Sequence, residues 1–140
     1  MEYIVGITLA LLFCSAAAGL GMDRERVFYP AVVVAVAFYY LAFAVADRRG
    51  GVMLSEVAIA AVFLVAAVAS FKLSKWFAVV ALGGHGVMDV FHHQLVHNAG
   101  VPQVWPGFCM TFDVTAAVIV ALVMLARARG ERVQQRVRSC

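Results

Sequence analysis

The chain has 140 residues, 64% of them hydrophobic and only 14% charged, with a formal net charge of +3. Mean hydropathy is +0.93. Soluble globular domains hold about a quarter charged residues, so composition excludes a water-soluble globular protein and leaves a multi-pass membrane protein.

A helix needs about 20 apolar residues to cross roughly 30 Å of hydrocarbon. Five stretches meet that length in chain order: 3–20, 27–46, 52–71, 76–97 and 107–126. The expected fold class is therefore all-α, a five-helix transmembrane bundle over 1–126, followed by a basic cytoplasmic tail over 127–140. The first stretch has no Lys or Arg before it, and no small residue stands where a lipoprotein cleavage site needs one before Cys14, so it is expected to remain as a span. The fourth has the weakest hydropathy, because Asp89 and the histidines interrupt it. Between the fourth and fifth, NAGVPQVWPGF holds two prolines and two glycines and is expected to be a rigid turn.

The basic residues sort by side. Arg24, Arg26, Lys72, Lys75 and the five arginines of the tail fall on one side, nine of the eleven, and Arg48 and Arg49 on the other. The positive-inside rule then gives an N-out, C-in arrangement. The tail ARARGERVQQRVRSC becomes a solvated or headgroup-facing end that needs no nucleic acid. Cys14, Cys109 and Cys140 are widely spaced and form no redox pair or disulfide framework; Cys109 is expected to be a packing thiol.

All four histidines lie within GGHGVMDVFHHQLVHN, residues 83–98. At about 100° per residue, His85, Asp89 and His92 fall within roughly 60° of one another on a helix, with His93 about 80° from His85. Ionisable groups at membrane depth are costly and mark functional sites. With about 1.5 Å of rise per residue, Asp89, His92, Asp113, Glu56, Tyr39 and Tyr40 all come to roughly 6–11 Å below the outer boundary. The inner halves of the spans carry almost no ionisable groups. One polar cavity in the outer half of the membrane is the expectation, walled by the small residues Gly83, Gly84 and Gly86 and by the alanines of the third span.

Three kinds of chemistry fit this residue set. His85, His92 or His93 with Asp89 or Asp113 can hold a divalent transition metal (Zn, Mn or Fe), whose bound water would hydrolyse a lipid ester or amide with Glu56 as general base. A metal-free His–Asp pair with Tyr40 as hydrogen-bond donor can isomerise or cyclise an apolar substrate. A non-catalytic module that binds a ligand or conducts protons or metal ions uses the same ladder as a pathway. The leading expectation is the metal-dependent, hydrolase-like enzyme, with Glu56, Asp89, Asp113 and Tyr40 as catalytic residues. Its expected metal ligands are His85, Asp89, His92, His93 and Asp113, and its partners membrane lipid or a lipid-like small molecule.

FYPAVVVAVAFYYLAFAV, Glu56, HGVMDVFHH and NAGVPQVWPGFCMTFD together resemble a family of small bacterial inner-membrane proteins known only as a domain of unknown function. The resemblance spans residues 28–113 and is most specific in HGxxDxxHH followed by GVPxxWPxFCxxxD. It implies Tyr39, Tyr40, Glu56, His85, Asp89, His92, Asn98, Trp105, Cys109 and Asp113 as motif residues and carries no activity. Ala99 and Val104 depart from the NPGVPxWWP form of the loop. A looser similarity to zinc-dependent membrane hydrolases of the ceramidase type extends only to the use of His and Asp across helices.

A reporter fused after Cys140 is expected to behave as cytoplasmic, and one inserted within 100–104 as external. Reversed labelling of the two would take the site out of the outer half of the membrane.

Overall fold

The computed structural model describes residues 1–139; Cys140 lies outside them. Five helices follow in order: α1 Glu2–Gly19, α2 Phe28–Asp47, α3 Gly50–Lys72, α4 Trp76–Leu95 and α5 Trp105–Arg138, with a short 3-10 turn, Met22–Arg24, after α1. All but α4 are long and apolar enough to cross a membrane. The chain is thus an all-helical membrane protein.

Several boundaries differ from those expected. The fourth helix stops at Leu95, so His97 lies beyond it on the connecting loop. The fifth begins at Trp105, with Pro106 in its first turn. There the missing proline N–H costs nothing, because first-turn donors have no intrahelical partner; the WPGF segment belongs to the helix. At its other end α5 runs unbroken to Arg138, so the basic tail is helical as far as it is described.

In lipid, apolar side chains gain nothing by turning inward, so close packing decides which face is buried. Many branched aliphatic side chains accordingly point outward, among them Ile4, Leu12, Val62, Val65, Val80 and Leu122. Small ones fill the interior: Ala37, Ala44, Ala60, Ala67, Ala78, Ala81, Ala116 and Ala117 are buried. The helices pair as α4 with α5, α2 with α3 and α1 with α5, with lesser contact from α4 to α3 and α2. Residues Val33, Phe63, Leu82 and Val120 close a continuous apolar core between these helices.

Of the glycines around His85, Gly86 is the one that packing requires. A Cβ there would stand 2.9 Å from the Met110 carbonyl oxygen and 2.9 Å from Val114 Cγ2, whereas one on Gly84 would meet nothing within 4 Å. Close approach of α4 to α5 therefore depends on a bare Cα at position 86. Gly6 serves the same purpose between α1 and α5, against Thr111 and the Phe108 carbonyl.

Polar side chains lock the two ends of the bundle. At one end Lys75 Nζ donates to the carbonyls of Asp23 (3.2 Å) and Arg24 (2.9 Å), Arg127 pairs with the Asp23 carboxylate, and Arg26 donates to the carbonyls of Phe71 and Lys72 at 2.7 and 2.9 Å. At the other, the Asp47 carboxylate accepts from Arg49 Nε and Nη2 at 2.6 and 2.7 Å and from the Ala99 N–H at 2.6 Å. Arg49 also donates to the His97 carbonyl. The bond to Asp47 holds the Arg49 guanidinium above its already high pKa, so the latch stays charged. It ties the α2–α3 turn to the α4–α5 loop.

Replacing Gly86 with Val is expected to push α4 off α5 and to destabilise the protein by about 1–3 kcal/mol, the usual penalty for overpacking. Gly84→Ala should be neutral or slightly stabilising. Equal thermal midpoints for the two variants would mean that the α4–α5 contact does not depend on Gly86.

Candidate functional site

α4 carries Ala78, Leu82, His85, Asp89 and His92 along one buried stripe at helical spacing. His85, Asp89 and His92 share one face, as their spacing requires. α3 presents Glu56, Ala60, Phe63 and Ala67 in the same way, and α2 contributes Tyr40, while α5 contributes Asp113.

Two imidazole–carboxylate pairs result. His85 Nδ1–H donates to Asp113 Oδ2 at 2.5 Å, and its Nε2 stands 3.7 Å from Asp89 Oδ1. His92 Nε2–H donates to Glu56 at 3.2 Å. Asn98 Nδ2–H donates to the other Glu56 oxygen at 2.7 Å. The Tyr40 ring lies against both histidines, edge-on to His85 at 5.4 Å and tilted to His92 at 5.7 Å. Phe63 stacks on the far face of this arrangement, 5.6 Å from Tyr40 and edge-on to His85 at 5.4 Å.

In front of the histidines is a cavity of about 20 Å³, lined by Tyr39, Tyr40, Phe43, His85, Asp89, His92, Val101, Trp105 and Pro106. That volume accommodates one water-sized group, for which roughly 10–15 Å³ is enough. A second space of about 760 Å³ opens beside it, lined by the α4–α5 loop, the end of α4 and Tyr3 of α1. Asp89, His92, Val101 and Pro106 line both spaces, so the small cavity adjoins the recess. Two buried atoms at the small cavity have no hydrogen-bond partner: Tyr40 Oη and Asp89 Oδ2.

His85, Asp89, His92 and Tyr40 thus come together on the cavity, and Asp113 reaches it through His85. Glu56, fully buried, stands behind His92 and does not line the cavity. His93 separates from the group: it is exposed on the recess side of α4, because a residue next to a buried one on a helix is turned by about 100°. Among the described residues no three His, Cys, Asp or Glu side chains gather as a metal cage. Cys14 and Cys109 are free thiols.

Sequence reasoning missed Phe63 and Phe43. Phe63 was detectable, since it lies seven residues after Glu56 and therefore on the same helix face. Phe43, packed edge-on against Trp105 at 5.2 Å, belongs to a generally aromatic and apolar helix in which nothing local distinguishes it. The Asp47–Arg49 latch was likewise invisible, because its third partner, Ala99, is 52 residues away.

Comparison with protein-family models, with curated proteins and with solved structures gives no match for this chain. The motif resemblance rests on the residues quoted for it.

Replacing Asp113 with Ala strands a buried imidazole N–H, and leaving a buried donor unsatisfied costs about 1–3 kcal/mol. A marked fall in thermal midpoint is expected for Asp113→Ala, and none for His93→Ala. A fall of similar size for both would show that position 93 shares the buried site.

Proposed function

We propose that the protein is an integral membrane enzyme whose buried histidines move protons on a lipid or other apolar molecule with a polar end. One observation carries this: each imidazole is held from behind by a carboxylate while the same imidazole lines a water-sized cavity beside an open recess. A carboxylate accepting the Nδ1–H of His85 leaves Nε2 as the free base, which is how an orienting carboxylate prepares a histidine for general base work. His92, tied to Glu56, supplies a second imidazole on the same wall, so one can take a proton while the other gives one. Tyr40 Oη stands ready as a hydrogen-bond donor. The packed layer of Val33, Phe63, Leu82 and Val120 favours a site with one mouth over a conducting path.

The topology assigned with this function is five spans, α4 included, with N-out and C-in orientation in the inner membrane of a bacterium. Supporting it, Arg26, Lys75 and Arg127 make their contacts at one end of the bundle and Arg49 at the other. The cavity then opens to the outer face.

A divalent metal is the second reading, and a specific feature favours it. A carboxylate behind an imidazole, as Asp113 is behind His85, also orients metal-bound histidines, and His85, Asp89 and His92 are the donors that line the cavity.

The test is incubation of nanodisc-embedded protein with a polar lipid extract in D2O, followed by mass spectrometry. Wild type should yield a new product or deuterium incorporation that falls at least a hundredfold in His85→Ala, the usual range for lost acid–base catalysis being about 10²–10⁴. Identical spectra for wild type and His85→Ala would rule out the acid–base enzyme. One equivalent of Zn, Mn or Fe in protein purified without chelator, lost in His85→Ala, would select the metal reading.

A further inference from the structure

The cavity holds an imbalance that its own residues do not resolve. Three carboxylates, Glu56, Asp89 and Asp113, are buried together with two imidazoles, His85 and His92. Glu56 and Asp113 each have an imidazole partner within hydrogen-bond distance. Asp89 is the carboxylate left over: it is 93% buried, its nearest imidazole nitrogen is 3.7 Å away, and its Oδ2 has no partner. An uncompensated carboxylate in a low-dielectric interior is strongly unfavourable, so a positive ligand is the natural complement.

The shape of the space selects among cations. About 20 Å³ receives a group the size of water, which matches a primary ammonium and is far too small for a trimethylammonium head. The recess of about 760 Å³ then admits the body of the molecule to which that ammonium is attached. An –NH3⁺ group brings three donors and no acceptor. Three acceptors belong to residues that line the cavity: Asp89 Oδ2, Tyr40 Oη and, with its proton on Nδ1, His85 Nε2. Both oxygens lack partners within the protein, and Tyr40 is 5% exposed. Much of the remaining lining is aromatic. Tyr39, Tyr40, Phe43 and Trp105 border the cavity, and aromatic rings attract ammonium ions electrostatically at distances up to about 6 Å.

We propose that the cavity at Asp89 and Tyr40 is a recognition site for a primary ammonium group, carried either by the headgroup of an aminophospholipid or by a small water-soluble amine. This names the substrate class of the acid–base site and rests on that reading for its catalytic meaning, while the binding stands on the cavity alone. Bound there, the ammonium places a proton against His85 Nε2, the nitrogen that the Asp113 pair leaves free.

The probe is ethanolamine, titrated into protein in nanodiscs of phosphatidylcholine and phosphatidylglycerol. Fluorescence of Trp105 is the readout, isolated by Trp76→Phe. A saturable change is expected with ethanolamine and not with ethylene glycol or choline, which lack the primary ammonium. Asp89→Asn should weaken binding at least tenfold, and Tyr40→Phe by a smaller factor. Should Asp89→Asn fail to fold, Tyr40→Phe and the two control ligands still decide the matter. Adding phosphatidylethanolamine to the discs separates the sources. If it raises the apparent Kd for ethanolamine, the lipid headgroup is the occupant; if it leaves Kd unchanged, a soluble amine is.

Three results would overturn the inference. They are no saturable response to either ethanolamine or phosphatidylethanolamine, an equal response to ethylene glycol, or undiminished binding by Asp89→Asn; the cavity would then hold solvent only. Ammonium binding lost while His85-dependent chemistry remains would remove this inference alone. Binding retained without any His85-dependent chemistry would remove the enzymatic reading and leave the ammonium site.

Discussion

Burying a carboxylate among apolar helices demands a partner at the same depth, and the pair between Asp113 of α5 and His85 of α4 meets that demand. Two unpaired groups at those positions would each be prohibitive in lipid, so the pair fixes the axial register of α4 on α5. Between hydrophobic helices in a bilayer no hydrophobic force selects a register, which leaves the choice to polar contacts and to small-residue packing. Gly86, one residue from His85, supplies the close approach that lets the pair form, its Cα lying against the backbone of Met110. The second pair, His92 with Glu56, then sets α3 against the same face of α4.

The two ends of the bundle differ in kind because of this arrangement. Beyond the imidazoles in one direction, aliphatic and alanine side chains fill the space between α2, α3, α4 and α5. In the other, aromatic rings and a proline-containing loop border open space. Asn98 couples that loop to the site directly, since its amide holds one oxygen of Glu56 while its own carbonyl accepts from the Gly100 N–H. Asp47 and Arg49 grip the same loop from the α2–α3 turn. Loop position and histidine geometry are therefore linked through a chain of hydrogen bonds, and a ligand entering the recess meets walls set by both.

Much of this was legible from residue types and spacing. The membrane class followed from composition, the helices from the lengths of the apolar stretches, and the shared face of His85, Asp89 and His92 from helical periodicity. The depth argument also placed Glu56, Tyr40 and Asp113 near these residues, because rise per residue is nearly constant along a helix. It could not orient a side chain about its own helix relative to neighbours. That is why His93 stood among the candidate ligands although it faces the recess, and why Glu56 was expected on the cavity although it stands behind His92. Pro106 marked a break in sequence terms, yet it opens α5, since a proline is tolerated in a first turn and excluded only further in.

The sequence by itself determined that this is a helical membrane protein and which stretch of it carries the ionisable groups. Those properties depend on composition and on periodicities internal to one helix. Only the tertiary structure decided which carboxylate pairs with which imidazole, that Asp89 is the one with no imidazole at hydrogen-bond distance, and that a water-sized cavity lies in front of it beside an open recess. Pairing across α3, α4 and α5 depends on how each helix is rotated and how closely it approaches its neighbours. In a chain apolar on nearly every face, no pattern within a single helix encodes that rotation.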